Sequence, residues 1–249
     1  MGQKYILTEE TELVHGHTLH RIKAVRDFGC VKSGDLGGFI EAERNLSHDG
    51  NAWVYDNAKV YGDARVYDDA IVCGNACVYD NAWVYDDALI CDNACVYNNA
   101  WVYDNALIGD DAKVSGHAKV YGNTRVYEHA MVYGDAWVYG DAMVCGGAII
   151  SDNAKVCGSA LIRGDAKISS SKDYIVFKNW WSSYRHFTWT RSNDMWSVGC
   201  FYGSGKDLIT KAYKDSEESG MEYQRIVEYV ETIKKVMSKD DINREDVKK

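Results

Sequence analysis

Residues 52–69 read AWVYDN-AKVYGD-ARVYDD, from Ala52 to Asp69, and this stretch decides the fold. The same six-residue unit runs on without a gap to Ser171, giving 20 units in 120 residues. Position one is Ala in 19 units and Thr124 in the other, and position three is always Val or Ile. Positions five and six are almost all Gly, Asp, Asn, Glu, His or Ser. Within a unit, alternation of period two reads as a short strand, with Ala and Val/Ile inward and positions two and four outward. The Gly/Asp/Asn pair then turns the chain, because these residues tolerate left-handed backbone. Six residues cannot bury an apolar face alone. Stacked units can, each turn hydrogen-bonding to the next.

The pattern [Val/Ile]-x-[Gly/Asp]-[Asn/Asp]-Ala-x resembles the hexapeptide repeat of left-handed β-helix proteins, and it covers about half of the chain. The resemblance implies a triangular prism with three hexads, or 18 residues, per coil. It also implies left-handed coiling, an exception to the usual crossover rule. The expected class is therefore mainly β: a left-handed parallel β-helix of six to seven triangular coils, roughly 30 Å tall at a strand spacing of about 4.8 Å. Position four is usually Tyr here, which departs from the family. The Tyr-rich array between an N-terminal cap and a short C-terminal domain also resembles phage and prophage hexapeptide proteins.

A repeat of 18 stacks residues into columns on three faces. One face carries Arg65, Trp83, Trp101, Lys119, Trp137 and Lys155, beside Tyr67, Tyr85, Tyr103, Tyr121 and Tyr139. A second carries Trp53, Ile71, Leu89, Leu107, Arg125 and Met143, and a third begins with Lys59, Cys77, Cys95 and Lys113. The first two are more apolar than a monomer's usual largest patch of about 300–600 Å². They are expected to be oligomer interfaces, using Trp83, Tyr85, Trp101, Tyr103, Tyr121, Trp137 and Tyr139 on one face and Ile71, Leu89, Leu107 and Met143 on the other. Two such faces per chain suit a closed homotrimer, with a dimer as the alternative.

Outside the array, residues 1–51 read as a β-rich cap. Strands are expected at Lys4–Leu7, Glu12–His15 and Thr18–Val25, and the turn-rich stretch Ser33–Ile40 is expected to feed the first coil. Residues 172–249 read as a small α+β domain. Strands are expected at Tyr174–Phe177, Tyr184–Thr190 and Trp196–Tyr202. Helices are expected at Asp207–Lys214 and Met221–Met237, the second with an apolar stripe of Ile226, Val230, Ile233 and Met237. The charged tail Ser238–Lys249 is expected to fray.

Hexapeptide-repeat proteins include acyltransferases that use a histidine near a subunit interface. His117 and His129 are the repeat's histidines, both in corner position six, and both read first as turn residues. The array has no inserted loop to form a pocket for an acyl donor. The two histidines are 12 residues apart, on different corners, so one chain cannot build the zinc cluster of a γ-class carbonic anhydrase. Cys73, Cys77, Cys91 and Cys95 flank one corner over two coils. Zinc there is the alternative to small apolar packing on two faces. No cofactor is expected, since the chain lacks a P-loop, a nucleophile elbow and a G-x-G-x-x-G run. In the C-terminal domain, Arg185, His186 and Arg191 are candidates to neutralise a small anionic ligand, with Trp181 and Trp189 stacking on it.

The 249 residues carry a net charge of -9, nearly all of it in the repeat, so general nucleic-acid binding is not expected. An acidic nucleic-acid mimic is a further alternative. There is no proline, which suits a chain whose backbone N–H groups are committed to ladders. No apolar run is long enough to span a bilayer, Met1–Glu10 does not read as a signal peptide, and Ile6 stands where myristoylation needs Ser or Thr. The eight cysteines are therefore expected as reduced thiols in a cytoplasm. The functional expectation is a non-enzymatic oligomeric scaffold, of phage derivation, that displays its C-terminal domains to a host protein or small anionic ligand. An acyltransferase is the alternative.

Overall fold

The computed structural model describes residues 2–179 and 184–246, with side chains through residue 236. Two antiparallel strands open it, β1 (Tyr5–Val14) and β2 (His17–Ala24). The first was expected as two pieces. It is one strand with a register shift between Leu7 and Thr11, so the polar run between them is absorbed as an irregularity. His15 and Gly16 make the turn, both with positive φ. The next strand, β3 (Leu36–Ile40), is an adaptor. It pairs antiparallel with β2 on one side and parallel with residues 59–60 on the other. Gly38 permits this junction, because a Cβ there would sit 2.5 Å from the Ala58 carbonyl oxygen. The stretch expected only to feed the array thus supplies a rung of its own.

Twenty two-residue strands follow, from β4 (Trp53–Val54) to β23 (Lys167–Ile168). They stack into three parallel arrays in which each strand before the last coil pairs with the one 18 residues on: Trp83 lies beside Trp101 and Leu89 beside Leu107. This is a parallel β-solenoid. Up to the last coil, the position-two N–H of each unit donates to the position-one carbonyl of the next coil, as from Trp101 to Ala118 at 2.9 Å. Val and Ile at position three form a continuous buried column, and Ala at position one is buried throughout. Each branched side chain contributes roughly 1.5–3 kcal/mol on burial. Thr124 fits at the Ala position because its hydroxyl donates to the Tyr121 carbonyl at 2.7 Å.

The corners explain the acidic composition. Position five is left-handed in most units, φ being 55° at Asp104 and 75° at Gly122. Where it is Asp, the carboxylate in most cases also accepts the N–H of the residue 18 further on: Asp56 from Gly74, Asp86 from Asp104, and Asp104 from Gly122 at 3.1–3.3 Å. One residue type supplies both the turn and a strut between coils.

Side chains finish both ends of the ladder. At the first coil, buried Lys4 donates to the Ala52 carbonyl at 2.8 Å, and the Tyr5 hydroxyl donates to Leu46 at 2.7 Å. Trp53, expected on an outer face, does point outward, but the cap covers it between Phe28 and Tyr5, and it is 0 % exposed. At the last coil, the N–H groups of Cys157, Leu161 and Lys167 donate to the hydroxyls of Tyr174, Thr188 and Ser192.

Those hydroxyls belong to the C-terminal part, an antiparallel sheet of β24 (Tyr174–Lys178), β25 (His186–Thr190), β26 (Met195–Val198) and β27 (Phe201–Gly203). The last two were expected as one strand. Gly199, at φ 56°, folds the stretch into a hairpin. Helices α1 (Gly205–Asp215) and α2 (Glu217–Asp246) cover the sheet. The helix continues through the segment expected to fray. Its buried seam is Val227 and Val230, with Tyr223 and Ile226 beside them, so the stripe lies partly one residue off the expected one.

Candidate functional site

The longest feature of the surface is the face that starts at Arg65. Tyr67, Tyr85, Tyr103, Tyr121 and Tyr139 stack with centroids 4.8–5.2 Å apart and planes within 6°. The coil repeat sets that spacing, so each ring meets its neighbour at normal stacking distance without moving the backbone. The adjacent column alternates cations with indoles. Trp83 and Trp101 stack at 5.5 Å, Lys119 lies 4.7 Å from the Trp101 ring and 5.2 Å from Trp137, and Lys155 lies 4.8 Å from Trp137. Arg65 closes the series over Trp83. Between Arg65, Arg44, Tyr67 and Trp83 an open groove of about 360 Å³ begins the face. Trp101 is the most open of the indoles, at 36 % exposure.

The expected aromatic interface residues therefore share one face, but in a polar-apolar weave rather than a bare apolar sheet. Burial raises the pKa values of its tyrosines, those of Tyr67, Tyr85 and Tyr103 to about 12, with corner carboxylates and, at Tyr85 and Tyr103, neighbouring rings adding to the effect. On the second face Ile71, Leu89 and Leu107 run in register, Arg125 interrupts, and Met143 follows. Gly109 leaves a groove of about 350 Å³ there, lined by Cys91, Leu107, Arg125 and Tyr127.

His117 and His129 sit at corners, 69 % and 75 % exposed. Each terminates or continues a ladder of corner side chains: Asn81–Asn99–His117–Asp135, and Asn75–Asn93–Asp111–His129. The two histidines belong to different ladders and do not converge. The four candidate zinc ligands do not converge either. Cys77 and Cys95 are paired in register on the third face, while Cys73 and Cys91 lie on the second. Among the described residues no group of three or more His, Cys, Asp or Glu is placed to hold a metal ion.

The expected C-terminal constellation is corrected at Trp189. That ring is 1 % exposed, and its Nε1 donates to Asp194 at 2.8 Å, so it is core and cannot stack on a ligand. Trp181 lies outside the described residues. Arg185 and Arg191 flank opposite ends of β25, roughly 20 Å apart along an extended strand, so they do not share one small anion. His186 is beside Arg185, paired across the sheet with Lys178. The lysine-flanked thiol pair at Cys77 and Cys95 was missed as a unit by the sequence reading. The signal was present, since Lys59, Cys77, Cys95 and Lys113 fall at successive intervals of 18.

Among the described residues no helix is long and apolar enough to cross a membrane. The family described as the YdcK beta solenoid repeat matches residues 58–74. No curated protein matches the chain significantly. Residues 58–74 are one coil of the stack, and with the three parallel sheets they make this chain a β-helical repeat protein.

Proposed function

We propose that the chain is a non-catalytic scaffold that self-associates through its aromatic face and holds its C-terminal domains in fixed relative positions. The observation that carries this reading is the double column of eight rings from Tyr67 to Tyr139. Eight half-covered aromatics offer roughly 600–1,000 Å², about what one partner contributes to a standard interface. Charge complementarity favours a second copy of the same chain. The face carries Arg65, Lys119 and Lys155, and its edge carries the corner carboxylates Asp69, Asp87 and Asp141. A neighbouring copy meets cations with carboxylates and rings with rings. The second face, with Leu89 and Leu107, gives each chain another contact, and a closed trimer uses both.

The seam between solenoid and C-terminal sheet supports the display role. Thr188, Ser192, Tyr174 and Tyr202 all bond the last coil's backbone, so the domain cannot swing freely. Copies held this way bind a multivalent target more tightly than any single copy does. Arg185, with His186 beside it, is what they present to an anionic target. Light scattering at micromolar concentration tests the assembly. A mass near three times 28.0 kDa is expected, and Trp101→Glu should reduce it. A single-chain mass for the unaltered protein would end the proposal.

A further inference from the structure

The third face holds a column that the scaffold reading does not use: Lys59, Cys77, Cys95 and Lys113, each in register with the next on adjacent coils. Both thiols are half-buried and reachable from solvent. Their Sγ atoms take the same orientation, each 3.7 Å from the carbonyl oxygen two residues back, at Asn75 and Asn93. The two sulfurs therefore stack at the coil spacing. Strand neighbours about 4.8 Å apart satisfy the Cα range of a disulfide, while the Cβ atoms must close by a few tenths of an ångström.

We propose that Cys77 and Cys95 form a reactive dithiol that exchanges with small-molecule disulfides, Cys95 attacking and Cys77 resolving. The flanking lysines favour Cys95 as the attacking thiol. Lys59, beside Cys77, is neutralised by Glu12 at 3.1 Å. Lys113, beside Cys95, has no carboxylate partner among the described residues, so its charge acts on that thiol. The neighbouring Cys77 thiol, with the Lys113 charge, holds the Cys95 pKa down to about 7, against burial and Asp111. Cys77 correspondingly keeps its proton.

In the first step the Cys95 thiolate attacks one sulfur of R–S–S–R. A Cys95–S–S–R bond forms and RS⁻ leaves. Cys77 then loses its proton to solvent, attacks the Cys95 sulfur and expels the second RS⁻. Two electrons pass from the protein to the small disulfide, giving two RSH and a Cys77–Cys95 bond. The slight compression of the coils leaves that bond readily reducible, so the step is reversible.

The other stacked pair, Cys73 and Cys91, is a control within the molecule. It faces Asp56 and Asp92, and burial together with Asp92 pushes the Cys91 thiol up to about 12. At pH 7 the difference in thiolate fraction, offset by lower intrinsic nucleophilicity, makes Cys95 react about 100-fold faster than Cys91. The test treats the reduced full-length protein with bis(2-hydroxyethyl) disulfide and follows each cysteine by isotope-labelled alkylation and peptide mass spectrometry. The expected result is fast reaction at Cys95, a cross-linked Cys77–Cys95 peptide pair, and recovery of both thiols with excess dithiothreitol. Cys77→Ser should accumulate the mixed disulfide on Cys95. Reaction at Cys95 no faster than at Cys91, in the unaltered protein, overturns the proposal. So does a Cys77→Ser protein that traps no adduct.

Discussion

Asp104 shows what a single residue does in this fold. It holds φ at 55° and accepts the Gly122 N–H at 3.1 Å. Alanine in the left-handed region costs about 1 kcal/mol, and the orphaned N–H adds a similar amount. Asp104→Ala should therefore lower stability by about 2 kcal/mol, read as a fall in urea midpoint. Asp104→Asn keeps both the turn preference and a carbonyl acceptor and should lose less than half as much. The exposed corner histidines are the contrast. His117→Ala, which interrupts an exposed side-chain ladder, should lower stability by no more than about 0.5 kcal/mol.

Columns behave as elements here in the way helices do elsewhere, because the coil repeat puts identical side chains 18 residues apart in contact. The tyrosine ladder has a measurable consequence. An unfolded tyrosine ionises near pH 10, whereas Tyr67, Tyr85 and Tyr103 are held at about 12. Between those values the folded chain binds more protons than the unfolded one, so stability falls with rising pH. The ladder's contribution is fully present below pH 10 and is lost as pH rises through 12. Tyrosinate absorbance at 295 nm should show a late-titrating class that moves back toward pH 10 in denaturant. A single transition near 10 in the folded protein would contradict the ladder geometry.

At the scale of the whole molecule, the solenoid is a stack with two ladder ends, and its caps decide whether it stops there or adds further strands edge to edge. The Thr188 hydroxyl accepts the Leu161 N–H at 2.9 Å across the seam to the C-terminal sheet. Thr188→Val keeps the shape and removes the acceptor. It should cost about 1–3 kcal/mol and raise amide exchange in the last coil selectively, leaving the first coils unchanged. Uniform exchange along the solenoid would show that the seam does not cap it.

The hexad pattern determined the strands, their inward residues, the left-handed corners and the partners of every column, because each is set within one unit and then copied at a fixed interval. Ala52 to Ser171 left no room for another register. Local pattern also pointed to the antiparallel strands and the two helices that follow the repeat. It did not resolve what lies between units of unlike sequence. Trp53 obeys the repeat's outward position, yet the cap buries it. Trp189 reads as an aromatic among cations, yet it is the core of a sheet whose other side chains come from far along the chain. The corner histidines and stacked thiols took their surroundings from coils 18 residues away, which the sequence spacing fixes. The end caps took theirs from Lys4, Tyr5 and Thr188, placed by tertiary packing alone. A repeated local geometry is legible because every contact has the same separation in sequence. A contact made once, between different elements, has no such period, and only the folded chain brings its partners together.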